Sequence, residues 1–241
     1  MIFDRLQHTL LFWWRNLFPL LIVIVPFAVL SSLAELAFGP LLIVENNQIS
    51  DVGGLSVVAV MLIQVCAEGA LICQLASLQK DGRARNLLDC VLFGGYLLPK
   101  LALCIFLTTI PLAGGALMAV ALSSGPAGII GLVFLVIGLL GFIRLSLAPF
   151  YVALDSLPIK VALQRSMART QPEQFPLLTS WLLLMFVILM TAGVFEEGML
   201  AIVGENGVSA MLTTIVQKAL GVVATVLLFL TYAVPVRPTQ S

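Results

Sequence analysis

Gln64, Glu68 and Arg144 are polar residues that interrupt long apolar runs of this sequence. A charge at membrane depth costs at least about 2.5–3.5 kcal/mol, and such residues commonly mark a polar path or a helix–helix contact. Gln64 and Glu68 are four residues apart and therefore share one helix face. Arg144 either snorkels to the cytoplasmic headgroups or pairs with an acid, for which Glu68 is the natural candidate. Glu68 could equally be protonated or held in an interhelical hydrogen bond.

Residues for enzymatic chemistry are scarce. The single histidine, His8, lies in an amphipathic N-terminal segment, and the sequence has no HExxH, no GxSxG and no acidic cluster with metal spacing. The four cysteines form no CxxC pair, so we expect reduced, packed or lipid-facing thiols. We therefore predict no enzyme, no catalytic residue, no cofactor and no metal site. The cysteines are Cys66, Cys73, Cys90 and Cys104.

The composition is that of an integral membrane protein. Of 241 residues, 61% are hydrophobic and only 10% charged, against about 45–50% and about 25% in soluble domains. A spanning helix needs about 20 mostly apolar residues, and the first run is too long for a secretory signal. The sequence predicts an all-α, polytopic helix bundle in one membrane domain, 1–241. Its six spans are 17–38, 55–78, 97–122, 128–152, 177–203 and 208–234.

Basic residues occur in every second connection along the chain, and this alternation predicts the orientation of the chain in the membrane. The connections on one side carry all the basic residues that lie between spans, whereas those on the other side carry acidic residues only. Both termini are therefore predicted to be cytoplasmic. The basic residues proposed to form a collar that binds anionic lipid headgroups are Lys80, Arg83, Arg85, Lys160, Arg165 and Arg169.

Helical periodicity predicts basic amphipathic helices lying in the cytoplasmic interface before some spans. The clearest are the N-terminal segment and the stretch that begins at Ser156-Leu157-Pro158, and 83–96 is a weaker third. Leu6-Gln7-His8-Thr9-Leu10 also matches Leu163-Gln164-Arg165-Ser166-Met167, each followed at equal spacing by Phe-Pro-Leu-Leu. We hypothesise three repeat units, 1–80, 81–157 and 158–241, each an interfacial helix followed by a transmembrane hairpin.

The positions of glycines and of Lys218 lead to two predictions about how the spans pack. Glycines leave parts of spans three and four without side-chain bulk, which favours close approach of these helices. Lys218, near the outer end of span six, is predicted to reach Glu196 or Glu197 in a local salt bridge. The glycines concerned are Gly114, Gly115, Gly128, Gly131, Gly138 and Gly141.

The segment Arg144-Leu145-Ser146-Leu147-Ala148-Pro149, followed by Ala162-Leu163-Gln164-Arg165-Ser166, resembles the YciC-like family of bacterial inner-membrane proteins. More distantly it is similar to the membrane domains attached to glycerophosphodiester phosphodiesterases. The resemblance implies a six-helix, multi-pass protein of the bacterial inner (plasma) membrane with no settled activity. The soluble phosphodiesterase domain has no counterpart in this sequence, so that catalytic role is not expected.

Two functions compete at this point. The first is a non-enzymatic protein that binds partners or supports envelope homeostasis, with anionic lipids and other membrane proteins as partners. The second is a small transporter, channel or lipid-moving protein with a polar path near Glu68 and Arg144. A zero net charge makes nucleic acid an unsuitable partner.

Overall fold

The computed structural model describes residues 2–39, 42–45, 48–52, 54–122, 128–204 and 206–233. Its described residues are almost entirely helical, and six helices are long and apolar enough to cross a membrane. The prediction of an all-α protein with six spans is confirmed. The helices are α1 (Ile2–Arg15), α2 (Leu17–Phe38), α3 (Gly54–Asp81), α4 (Leu87–Ala121), α5 (Gly128–Leu145), α6 (Ala148–Leu154), α7 (Ile159–Thr170), α8 (Gln174–Val203) and α9 (Gly207–Ala233).

A small hairpin between α2 and α3 is the one pair of β-strands among the described residues. Strands β1 (Leu42–Glu45) and β2 (Gln48–Val52) pair antiparallel with an irregular register. The sequence predicts this stretch only as an acidic connection between two spans. Its position between two spans leaves the six-helix order unchanged.

The fourth predicted span is interrupted, contrary to the prediction of one helix over 128–152. Helix α5 ends at Leu145, and α6 begins at Ala148 after a two-residue turn. Pro149 is the cause, because it has no N–H to continue the α5 ladder and is favoured in the first turn of a new helix. The Ser146 hydroxyl donates to the Ile143 carbonyl at 2.9 Å and helps to end α5.

The two clearest predicted interfacial segments are separate helices, α1 and α7. The weaker candidate at 83–96 is not, because α4 begins at Leu87 and continues into the third span. At about 1.5 Å per residue, its 35 residues extend about 50 Å, well beyond a hydrocarbon core of about 30 Å. The second predicted repeat unit therefore does not open with a helix of its own, and the threefold repeat stays a hypothesis.

Glycines bring α4 and α5 into backbone contact, as predicted for spans three and four. A Cβ built on Gly138 would lie 2.4 Å from the Pro111 carbonyl oxygen, and one on Gly115 would lie 2.7 Å from that of Phe134. Gly114 is different, since nothing lies within 4 Å of its Cβ position. Close approach thus depends on one glycine of the Gly114-Gly115 pair.

The chain forms two compact units that alternate along the sequence. The first contains Met1–Phe12, Pro99–Leu184 and Ala224–Ser241; the second contains Trp13–Leu98 and Met185–Val223. These limits do not coincide with the predicted repeat units. In the first unit, Phe150 and Phe229 are almost fully buried, with ring centroids 5.9 Å apart. The core of the second is built on Val23 and Phe27 of α2, Ala70 and Cys73 of α3, and Cys90 of α4.

Candidate functional site

The break between α5 and α6 is held by a polar cluster in the first unit. The Ser166 hydroxyl of α7 donates to the Arg144 carbonyl at 2.7 Å and accepts from the Leu147 N–H at 3.1 Å. The Thr170 hydroxyl lies 3.2 Å from the same Arg144 carbonyl. Ser166 and Thr170 are almost fully buried. One side-chain hydroxyl thus partners backbone groups on both sides of the break, which the helix ladder itself cannot satisfy.

Arg144, one of the predicted intramembrane polar residues, belongs to this cluster. Its Nε donates to the Gln174 side-chain oxygen at 2.8 Å, and Gln174, the first residue of α8, is buried. Sequence reasoning proposed Glu68 as the partner and did not single out Gln174. The sequence feature that could have identified Gln174 is its position as the last polar residue before the fifth apolar run. We call Arg144, Leu147, Ser166, Thr170 and Gln174 the helix-break cluster.

The segments 144–149 and 162–166 meet at this cluster. Arg144 and Leu147 belong to the first segment, and Ser166 belongs to the second. A serine, which can donate and accept through one oxygen, meets the requirement of both backbone groups. The contacts of this cluster join side chains to the backbone at the break and to one another.

Glu68 and Gln64 lie in a different polar group, within the second unit. Lys218 of α9 donates to the Gln64 side-chain oxygen, and both Glu35 of α2 and Glu68 of α3 attract its ammonium group electrostatically. Glu35, Glu68 and Lys218 are half-buried, whereas Gln64 is more exposed. We call these four residues the lysine cluster. It draws one cation, two acids and an amide from three helices.

The predicted salt bridge from Lys218 to Glu196 or Glu197 is wrong. Lys218 turns to Gln64, and its neighbour Gln217 approaches Glu196 instead, at 3.4 Å. The prediction considered only acids adjacent in the sequence, at the ends of α8 and α9. It missed α3, which is more than 150 residues away along the chain.

The six residues of the predicted basic collar fall into two groups. Two of them bond to other residues of the protein, and four have side chains that do not bond to the described residues. The Arg169 guanidinium donates to the Thr231 carbonyl of α9 at 3.0 Å, and Arg85 lies 3.8 Å from Asp89. The Arg169 contact joins α7 to α9, whereas the Arg85–Asp89 pair is local and exposed. The other four side chains are exposed and make no hydrogen bond or ion pair to the described residues. They are Lys80 and Arg83 in the second unit and Lys160 and Arg165 in the first.

Helix α7 has an exposed basic side, as its periodicity predicts, but its other side packs against protein and not against lipid. Ala162, Ser166 and Thr170 are buried, and α7 packs against α5 and α6. The small apolar stripe expected to face lipid is therefore covered by protein. Lys160 and Arg165 are on the outward side, so the charged side of α7, not its apolar stripe, is available to a headgroup layer.

Helix α1 exposes an apolar stripe and is tied to the segment that follows α7. Phe3, Leu10 and Trp14 are 82%, 45% and 71% exposed, and their spacing places them on one face. Arg5 forms an ion pair with Glu173, which immediately precedes α8. A stripe that includes tryptophan suits the level of the headgroups.

The described residues contain no group of three or more histidine, cysteine, aspartate or glutamate side chains that could hold a metal ion. No family model matches this chain, and no curated protein or solved structure matches it either.

Proposed function

We propose that this chain is a non-enzymatic, multi-pass protein of the bacterial inner membrane that binds partners or supports envelope homeostasis. Both termini are proposed to be cytoplasmic, with anionic phospholipids as the first partner. The observation that carries the proposal is the surface offered by α1 and α7: an exposed apolar stripe and, on α7, two free cations. The resemblance of 144–149 and 162–166 to an inner-membrane family supports the location, as does the alternation of basic and acidic connections.

Lipid binding should weaken when the two free cations of α7 are neutralised. Each contributes about 1 kcal/mol near an anionic surface, so Lys160→Gln with Arg165→Gln should weaken retention of phosphatidylglycerol about 30-fold. Native mass spectrometry of the protein in mild detergent measures the bound lipid. Gln164→Ala, an uncharged change at a neighbouring exposed residue, is the matched control. Equal retention by the double variant and the control would reject this role for α7.

The lysine cluster favours a second candidate, a small transporter, channel or lipid-moving protein. An intramembrane lysine with two acids and an amide around it is a combination that recurs along ion and proton pathways. The proposed path would run through Gln64, Glu68 and Lys218, which α3 and α9 place together. Arg144 is less suited to it than the sequence indicated, because its Nε is bound to Gln174.

This candidate predicts a flux that depends on Lys218. In liposomes, the wild type should carry protons or a dye-labelled phospholipid faster than empty vesicles do. Lys218→Met should reduce that flux to the level of empty vesicles, because it removes the only cation of the lysine cluster. Gln217→Ala changes the adjacent residue, whose contact is with Glu196, and should leave the flux unchanged. A wild type no faster than empty vesicles, or an unaffected Lys218→Met, rejects transport through this cluster.

A further inference from the structure

Helices α3 and α4 are in backbone contact near their connected ends. A Cβ built on Gly94 would lie 2.5 Å from the Cys66 carbonyl oxygen and 3.0 Å from the Ala70 nitrogen. Only a residue without a side chain permits such an approach. Pairs of residues that face each other one turn away are therefore separated by a short distance as well.

Cys73 of α3 and Cys90 of α4 are such a pair. Both belong to one buried cluster of packed residues, with exposures of 4% and 0%, and the Cys90 thiol donates to the side chain of Gln74, the residue that follows Cys73. Both thiols are free. A disulfide requires Cβ atoms about 3.5–4.5 Å apart, and two cysteines packed in one cluster across closely approaching helices are suited to that requirement.

Polar groups contact the two thiols on one side, although both belong to the apolar core of the second unit. The Gln74 side-chain oxygen accepts from the Cys90 sulfur at 3.4 Å and from the Arg85 backbone N–H at 3.2 Å. The Arg85 guanidinium lies 3.9 Å from the Cys73 sulfur. A guanidinium beside a sulfur stabilises the thiolate, which is the form that attacks disulfides.

The connection between the two helices lies beside Cys73, because it carries Arg85. Residues 82–86 are not helical and are exposed, and the Arg85 side chain is 55% exposed. A displacement of this short connection would uncover the Cys73 sulfur without unfolding α3 or α4. Cys90, fully buried beside it, is then the thiol best placed to complete the reaction.

We propose that Cys73 and Cys90 are a reversibly oxidised thiol pair whose oxidant is a small-molecule disulfide. The Cys73 thiolate attacks one sulfur of that disulfide, forms a mixed disulfide and releases the first thiolate. The Cys90 thiolate attacks the Cys73 sulfur, forms the Cys73–Cys90 bond and releases the second. Two electrons pass to the small molecule, and the two cysteine protons go to its leaving thiolates. The product joins α3 to α4 beside their connection.

Trypsin provides a direct readout, because it cleaves after Lys80, Arg83 and Arg85, between the two cysteines. The protein in lipid nanodiscs is treated with glutathione disulfide, and its free thiols are then alkylated before digestion. In the wild type, the peptide covering 86–100 should be recovered linked to the peptide that contains Cys73. Dithiothreitol should separate them.

The variants decide which sulfur reacts. Cys66 lies on the same tryptic peptide as Cys73, so Cys66→Ser is the matched control and should keep the link, whereas Cys73→Ser should lose it. Arg85→Gln should slow its formation several-fold. A wild type that stays unlinked while Cys66 accepts glutathione would overturn the proposal, as would a link that persists in Cys73→Ser.

Discussion

Gly94→Ala is expected to lower the free energy of unfolding by about 1–3 kcal/mol, the usual cost of overpacking. The added Cβ would lie 2.5 Å from the Cys66 carbonyl oxygen and 3.0 Å from the Ala70 nitrogen. Both are backbone atoms of α3, so no side-chain rotation relieves the overlap and the two helices must separate. Unfolding of the detergent-solubilised protein, followed by circular dichroism during a denaturant titration, measures the change.

The adjacent residue is an unusually close control. Nothing lies within 4 Å of a Cβ built on Gly95, and alanine is favoured over glycine inside a helix by about 0.5–1 kcal/mol. Gly95→Ala should therefore leave stability unchanged or raise it slightly. Equal destabilisation by both variants would show that the close contact of Gly94 with α3 does not determine the effect.

Ser166→Ala is expected to destabilise the protein by about 1–3 kcal/mol, because it leaves a buried backbone donor without its partner. The Leu147 N–H loses its acceptor, and the Arg144 carbonyl keeps only the longer contact from Thr170. The same denaturant titration measures the loss. Proteolysis near 145–148 should also become faster, since the helix break is then held less firmly.

Ser180→Ala is the matched control, at an equally buried serine. Its hydroxyl donates at 2.8 Å to the Pro176 carbonyl one turn back in α8, a local contact that contributes little to helix stability. The change should stay within about 0.5 kcal/mol. A Ser166→Ala variant as stable as Ser180→Ala would mean that the backbone at the break finds other partners.

Hydropathy predicted the six spans because each contains an apolar run long enough to cross a membrane. Helix α2 has the predicted limits of the first span, 17–38, and Pro158 precedes α7 where the start signal placed it. The break at 145–148 was missed because Pro149 lies within a continuous apolar run. Hydropathy averages over such a run and does not detect a lost backbone donor.

The polar contacts were predicted less well, because the partners of the polar residues lie far away along the chain. Arg144 and Lys218 were identified as unusual from their apolar surroundings alone. Their partners Gln174 and Gln64 lie 30 and 154 residues away. Both partners are amides, whereas a partner chosen by opposite charge would have been an acid. The sequence therefore indicated which residues needed partners but not which residues would supply them.

The contact of Ser166 with the α5–α6 break has a consequence for biosynthesis. Chains are made from the N-terminus, so the fourth span leaves the ribosome before α7 does. Until Ser166 emerges, the Leu147 N–H lacks the hydroxyl that it contacts in the finished fold. Helix α7 belongs to a connection predicted to stay on the ribosome's side of the membrane, so it can dock without crossing the bilayer. The break would then be completed by the next segment to be translated.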